Sequence, residues 1–96
     1  MKKISNDKKE KSLEPLLNTG WVYLSERDAI TKKYTFSNFV EAFGWMSKAA
    51  IVSEKLNHHP EWSNVYKTVE VTLTSHDIQG LSSLDLELAS KLDALS

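Results

Sequence analysis

The chain carries three histidines, placed close together in the sequence. His58 and His59 are adjacent and stand immediately before Pro60, and His76 follows in the run Thr74-Ser75-His76-Asp77. Imidazole is the side chain whose ordinary pKa lies nearest neutrality, so such a group can give and take protons near pH 7. Pro60 disfavours the α region for the residue before it, so a helix entering this segment must stop by His59. Consecutive extended residues point in opposite directions. The pair is therefore expected to face two ways, one ring acting on a small molecule and the other orienting it. Two other readings stand beside this one: three surface histidines with no role, and a zinc site. The contiguity of the pair and the lack of a carboxylate at a familiar metal spacing tell against zinc. Glu54 lies four residues before His58, so it either shares the His58 pocket or sits on a solvated helix face. Asp85 stands three residues after Ser82, and a capping-box position explains it without chemistry. Trp21 and Trp62 read first as packing residues. No glycine-rich phosphate loop, nucleophile elbow or HExxH motif is present.

These residues must be positioned by a short chain. It has 96 residues, 41% apolar and 26% charged, with a formal net charge of −1. That length and composition give one ordinary globular domain. There is no apolar run of membrane-spanning length, and residues 1–11 lack the apolar stretch of a secretory signal. With no cysteine, disulfides, cysteine metal sites and cysteine nucleophiles are excluded. The absence fits a reducing compartment, read as the cytoplasm with the nucleus also open. Lys2, Lys3, Lys8, Lys9 and Lys11 crowd the start, so residues 1–11 are expected to be a flexible, solvated tail and residues 12–96 the domain. The remainder is mildly acidic, which speaks against direct nucleic-acid binding.

Residues 12–19 suggest a short helix with Ser12 as cap, Pro15 in its first turn and Gly20 as its stop. Residues 21–24 and 29–36 read as strands joined by a turn; Lys32 breaks the alternation of the second, which is therefore expected to have one wet edge. Residues 38–57 form the best helix, with Asn38 and Glu41 as a capping box. Phe39, Ala42, Phe43, Met46, Ala49, Ala50, Ser53 and Leu56 share one face of it. A second stripe of Val40, Gly44, Ile51 and Val52, with Trp45, lies off that face. It reads either as part of a wide core face or as a contact with another subunit. Residues 61–74 read as strand, turn at Tyr66-Lys67, and strand, with Val69, Val71 and Leu73 on one side. Residues 82–95 form a last helix with Leu84, Leu88, Leu92 and Leu95 on one face. The order α-β-β-α-β-β-α predicts an α+β two-layer sandwich: a four-stranded antiparallel sheet with helices packed on one face.

The run Glu54-Lys55-Leu56-Asn57-His58-His59-Pro60-Glu61-Trp62-Ser63-Asn64-Val65-Tyr66 resembles the signature of the pterin-4a-carbinolamine dehydratases. The likeness continues through Val71 to His76, Gly80-Leu81-Ser82 and Asp85 to Ala89. Upstream it includes Gly20-Trp21, Arg27 to Ile30 and Phe39 to Gly44, so it covers about residues 12–95. It implies an enzyme that removes water from 4a-hydroxytetrahydrobiopterin to give quinonoid dihydrobiopterin. Such an enzyme recycles the pterin used by aromatic amino-acid hydroxylases. The pterin is substrate, and no cofactor or metal is implied. By the resemblance His58 and His76 form the acid/base pair and His59 holds the pterin. Pro60 and Ser75, Asp77 and Ile78 line the pocket, with Glu54 and Trp21 near it. Asp85 and Trp62 match motif positions that a structural role could explain. Asn57 is a departure, since many members carry Asp there. The resemblance also implies a homodimer or homotetramer using the second stripe of helix 38–57. Some animal members also serve as a dimerisation cofactor of a homeodomain transcription factor, which is the alternative function.

Overall fold

The computed structural model describes residues 2–96. Its elements run α1 (Asn6–Leu17), β1 (Val22–Leu24), β2 (Ala29–Thr35), α2 (Phe39–Leu56), β3 (Glu61–Val65), β4 (Thr68–Leu73), a 3-10 turn (His76–Ile78) and α3 (Ser83–Leu95). The strands form one antiparallel sheet in the order β1-β2-β4-β3, so β4 lies between β2 and β3. The architecture is the α+β order expected from the sequence.

Alternation along the central strands sets the core. Ile30, Tyr34, Val69, Val71 and Leu73 are buried on one face of the sheet. Leu13 and Leu16 of α1, Ala42, Trp45 and Ala49 of α2, and Leu88, Ala89 and Leu92 of α3 cover that face. The other side carries Thr31, Lys33, Glu70 and Thr72, none of them buried. Lys32 is not at a wet edge. It points to the helical side, where its Nζ lies 2.8 Å from Asp93 of α3 and 4.8 Å from the Tyr34 ring centroid. A charge on the inner face is tolerated because it is paired.

α2 starts with half of the expected capping box: the Asn38 side chain accepts the Glu41 N–H at 2.9 Å, and the Glu41 side chain does not bond back. Its inner face differs from the expected one. Trp45 is in the core, tilted against Tyr34 with ring centroids 4.4 Å apart, whereas Phe39 and Phe43 are exposed. The small residues Ala42 and Ala49 flank Trp45 and let the helix approach the sheet, which turns the phenylalanines outward.

The start of the chain also departs from expectation. α1 begins at Asn6, with Ser5 at the N-cap position but no side-chain cap, and Pro15 falls in its last turn, not its first. Residues 6–11 are therefore helix, so the expected tail over residues 1–11 is corrected. Ile4 N–H donates to Leu81 O at 2.9 Å, and Lys9 Nζ lies 2.8 Å from Asp28. These remote partners order a lysine-rich stretch whose own composition favours solvent.

Beyond β4, Ser75 and Gly80 exchange two backbone hydrogen bonds of 2.9 and 3.3 Å and close a small loop around the 3-10 turn.

Candidate functional site

Three connections converge where β4 ends. Because β4 is antiparallel to both neighbours, its exit lies beside the starts of β2 and β3. The β1–β2 turn and the α2–β3 connection therefore rise on either side of Thr74, Ser75 and His76. A cavity of about 260 Å³ lies between them, lined by Asn57, His58, His59 and Pro60 on one side and Thr74, Ser75, His76 and Asp77 on the other. A larger cavity, about 480 Å³, shares Thr74 and His76 and is otherwise lined by the β1–β2 turn and Gln79. Only the smaller one gathers all three histidines.

The end of α2 separates the two adjacent imidazoles. Asn57 adopts the left-handed conformation at φ 51°, and His58 N–H donates to Ser53 O at 3.0 Å, closing a Schellman turn. Asparagine suits this conformation better than most residues. The turn sends His58 inward, 8% exposed, and leaves the His59 side chain 58% exposed. The pair faces two ways, as the sequence predicts.

Each imidazole has its own carboxylate. His58 Nε2 lies 2.5 Å from Asp85 Oδ1, His59 Nε2 lies 2.8 Å from Glu54 Oε1, and His76 Nε2 lies 2.6 Å from Glu61 Oε2. A carboxylate behind one ring nitrogen selects the tautomer and presents the other nitrogen to a ligand. Among the described residues no three side chains of metal-ligand type converge on a common point.

Asp85 does more than cap α3. It is fully buried, and its Oδ2 accepts from Ser82 N–H at 2.9 Å and from Ser75 Oγ at 2.7 Å. One carboxylate thus joins the α3 terminus, the β4 exit and His58. Burial of a carboxylate is tolerated when its lone pairs are satisfied in this way.

The other expected residues divide. Pro60, Ser75 and Asp77 line the histidine cavity. Glu54 pairs with His59, not with the His58 pocket. Trp21 is not at the cavity. It is 2% exposed in the core, edge-on to Tyr34, and its indole N–H donates to Asp93 at 3.1 Å. Ile78 sits half-buried in the 3-10 turn and does not line the cavity, and Trp62 packs against the core.

Sequence reasoning missed Glu61, Arg27 and Thr74. Glu61 Oε1 and Oε2 accept from Arg27 at 2.9 and 2.7 Å. Arg27 first, and then His76, hold the Glu61 carboxyl far below the ordinary carboxylate range, at about 2. The available signal was parity. Trp62 faces the core, so Glu61 must face away from it, level with Thr72 in the register and four residues short of His76. Thr74 Oγ1 donates to Asp28 O at 3.1 Å and fixes the β1–β2 turn to the β4 exit.

Comparison with known proteins identifies the family. The family model described as pterin 4 alpha carbinolamine dehydratase matches residues 2–95. A Roseobacter denitrificans protein, provisionally named a pterin-4-alpha-carbinolamine dehydratase, is 56% identical over 94 residues, covering 98% of this chain and 96% of its own. A provisionally so-named Bradyrhizobium diazoefficiens protein is 55% identical over 76 residues, covering 79% of this chain and 76% of its own. A crystal structure of a transcriptional coactivator/pterin dehydratase from Brucella melitensis superposes with a TM-score of 0.91 at 39% identity, covering 98% of both chains. A pterin dehydratase-like protein identified as a RuBisCO assembly factor in the alpha-carboxysome has a TM-score of 0.70 at 21% identity, covering 79% of this chain and 88% of its own. That last likeness is one of fold alone. With its fold and nearly its whole length matched, the chain belongs to the pterin 4 alpha carbinolamine dehydratase family.

Proposed function

We propose that this protein removes water from a 4a-hydroxytetrahydropterin, with 4a-hydroxytetrahydrobiopterin as the type substrate, and releases the quinonoid dihydropterin. One imidazole protonates the departing 4a-hydroxyl as the C4a–O bond breaks. A second takes the N5 proton, and the electron pair left on nitrogen forms the C4a–N5 double bond. The elimination changes no redox partner, so two positioned imidazoles suffice, each worth roughly 10²–10⁴-fold. His58 and His76 take these two roles and His59 holds the ring. Asp85 fixes the His58 ring from behind. The reaction returns the pterin used by an aromatic amino-acid hydroxylase to its cycle. The observation that carries this reading is the single cavity lined by all three histidines, each with a carboxylate on its Nε2.

The test adds purified protein to a phenylalanine hydroxylase reaction in which spontaneous dehydration limits pterin recycling. The 4a-hydroxy species is followed by its ultraviolet absorbance. Faster decay that His58→Ala and His76→Ala each remove is the expected result. No acceleration by the folded protein overturns the reading.

A second reading concerns assembly and rests on α2. Phe39, Val40, Phe43 and Ile51 are exposed along it, Val40 at 77%, and the Phe39 and Phe43 rings lie tilted with centroids 5.9 Å apart. Apolar surface of this kind marks a protein contact. It would join copies of this chain into a dimer or tetramer, or receive a transcription factor as the coactivator name of the Brucella relative suggests. Val40→Asp is expected to lower the sedimenting mass while leaving the fold intact. An unchanged mass removes α2 as the contact between copies.

A further inference from the structure

His76 is the most exposed of the three histidines. It opens a 3-10 turn of three residues, and its side chain is 68% exposed. Among the described residues its ring bonds to one group, Glu61 Oε2, at 2.6 Å. A ring used for proton transfer has to be held to within fractions of an ångström, and an exposed one on a short loop is not held by packing.

Glu61 is itself held. Arg27 grips it with two parallel hydrogen bonds, one to each carboxylate oxygen. A guanidinium fork on a carboxylate fixes a plane as well as a distance, which a lysine cannot do. The two residues come from opposite sides of the site. Arg27 lies in the turn before β2, and Glu61 is the first residue of β3. Those strands do not pair with each other, because β4 lies between them. The Arg27–Glu61 pair therefore spans the exit of β4, and His76 leaves β4 directly beneath its reach. Both partners are well exposed. An ion pair in that setting contributes little to stability, so its geometry is better explained by what it holds.

We propose that Glu61, clamped by Arg27, is a positioning residue for His76. It accepts a hydrogen bond from Nε2–H, fixes the ring plane and leaves Nδ1 as the nitrogen that meets the substrate. The proposal rests on the dehydratase reading and narrows it, because it makes His76 the base. Nδ1 takes the N5 proton, and Nε2 keeps its own proton and donates it in a hydrogen bond to Glu61, whose negative charge faces the imidazolium that forms. The hydroxyl leaves as water on a proton from His58. His76 then returns its proton to solvent and His58 regains one, which closes the cycle.

The experiment compares the wild type with Glu61→Gln, which keeps the shape and removes the charge, and Arg27→Lys, which keeps the charge and removes the fork. Thermal melting confirms that each folds. Glu61→Gln is expected to lower kcat by about 10- to 100-fold, the range for losing a carboxylate behind a working histidine, with KM moving by less than about threefold. Arg27→Lys lowers kcat by a smaller factor in the same pattern. A second readout is independent of turnover. ¹⁵N NMR of the ring distinguishes the two neutral tautomers, and His76 in the wild type is expected in the Nε2–H form. In Glu61→Gln it becomes a mixture, because an amide offers both a donor and an acceptor. A raised KM at unchanged kcat, or a His76 tautomer that ignores Glu61→Gln, overturns the proposal. A wild type that fails to accelerate dehydration while its tautomer still depends on Glu61 overturns the dehydratase reading and upholds the tether.

Discussion

His58 Nε2 and Asp85 Oδ1 meet at 2.5 Å in the interior, and the same carboxylate accepts the Ser82 N–H that opens α3. The catalytic candidate and a helix terminus therefore share one anchor. Asp85→Asn keeps an acceptor for the Ser82 N–H but removes the charge that faces His58. Loss of a helix cap alone costs about 1 kcal/mol, whereas stripping one partner from a buried, charge-assisted pair costs about 3–5 kcal/mol. Urea unfolding of Asp85→Asn should show a loss above about 2 kcal/mol, accompanied by loss of dehydration. A loss near 1 kcal/mol or less would mean that Asp85 is a cap and nothing more.

Trp21 separates a core role from a pocket role. Its indole lies among Tyr34 and its neighbours and donates to Asp93. Trp21→Phe should lower stability by about 1–3 kcal/mol through lost volume and the lost hydrogen bond. Kinetic constants per folded molecule should stay within about twofold of the wild type. A large rise in KM with the fold intact would return Trp21 to the cavity.

Lys9 decides whether the lysine-rich start belongs to the fold. Its ammonium lies 2.8 Å from Asp28 Oδ1 and 3.4 Å from the Tyr23 hydroxyl, and Asp28 also receives Leu81 N–H at 3.2 Å. Lys9→Ala is expected to cost about 1–2 kcal/mol in chemical unfolding, the worth of a partly buried hydrogen bond between charges. A residue on a solvated tail would cost nothing.

Acid should destabilise the protein mainly through Asp28 and Asp93, with only a small share from the exposed Glu61. Arg27 and then His76 lower Glu61 to about 2. Burial alone would raise Asp28 and Asp93, but Lys9 and Tyr23 outweigh it at Asp28, and Lys32, Tyr34, Thr19 and Trp21 outweigh it at Asp93, so both end below their ordinary value. In each case the unfolded chain binds the proton more readily than the folded one, so stability rises with pH across the window. The contribution is complete above about pH 4–5, where the unfolded carboxyls are already ionised, and is lost as pH falls toward about 2. Urea midpoints measured from pH 6 down to pH 2 should fall in that interval. Asp93→Asn should flatten the lower part of the curve, and an unchanged slope would remove Asp93 from the account.

Local signals carried most of the fold. Alternation in Val69, Val71 and Leu73, the Asn38 cap and the spacing of Leu88 and Leu92 each depend on near neighbours, and each is as read. The failures share a cause. Lys9, Lys32 and Trp21 are placed by Asp28 and Asp93, residues far away in the chain, and no local pattern announces a remote carboxylate. α2 misled because its apolar residues surround it, and only the packing against Tyr34 shows which side is inner.

The same contrast holds at the site. The histidines were legible by type and by the proline beside them, and the opposed directions of His58 and His59 followed from backbone rules. Their carboxylates were only partly legible. Glu54 was in view either as a partner of the His58 pocket or as a solvated helix-face acid; it is exposed and meets His59, since the left-handed turn at Asn57 rotates His58 away from it. Glu61 needed the sheet register as well, because its two partners arrive from β4 and from the turn before β2.

The paired bonds between Ser75 and Gly80 close the segment between them into a small loop, tied to its surroundings through Ser75 and His76. Its ends are clasped to each other, and Asp77 and Gln79 are exposed, so a change in their bulk or charge stays within the loop and does not reach the sheet. Gly80 is the pin of the clasp, since any Cβ there would strike the Asp28 carboxylate. Evolution can therefore exchange residues at the mouth of the cavity while the framework that holds His58 and Asp85 is untouched. Recognition of what enters can drift at Asp77 and Gln79, while His76 in the same loop stays tied to Glu61 of β3.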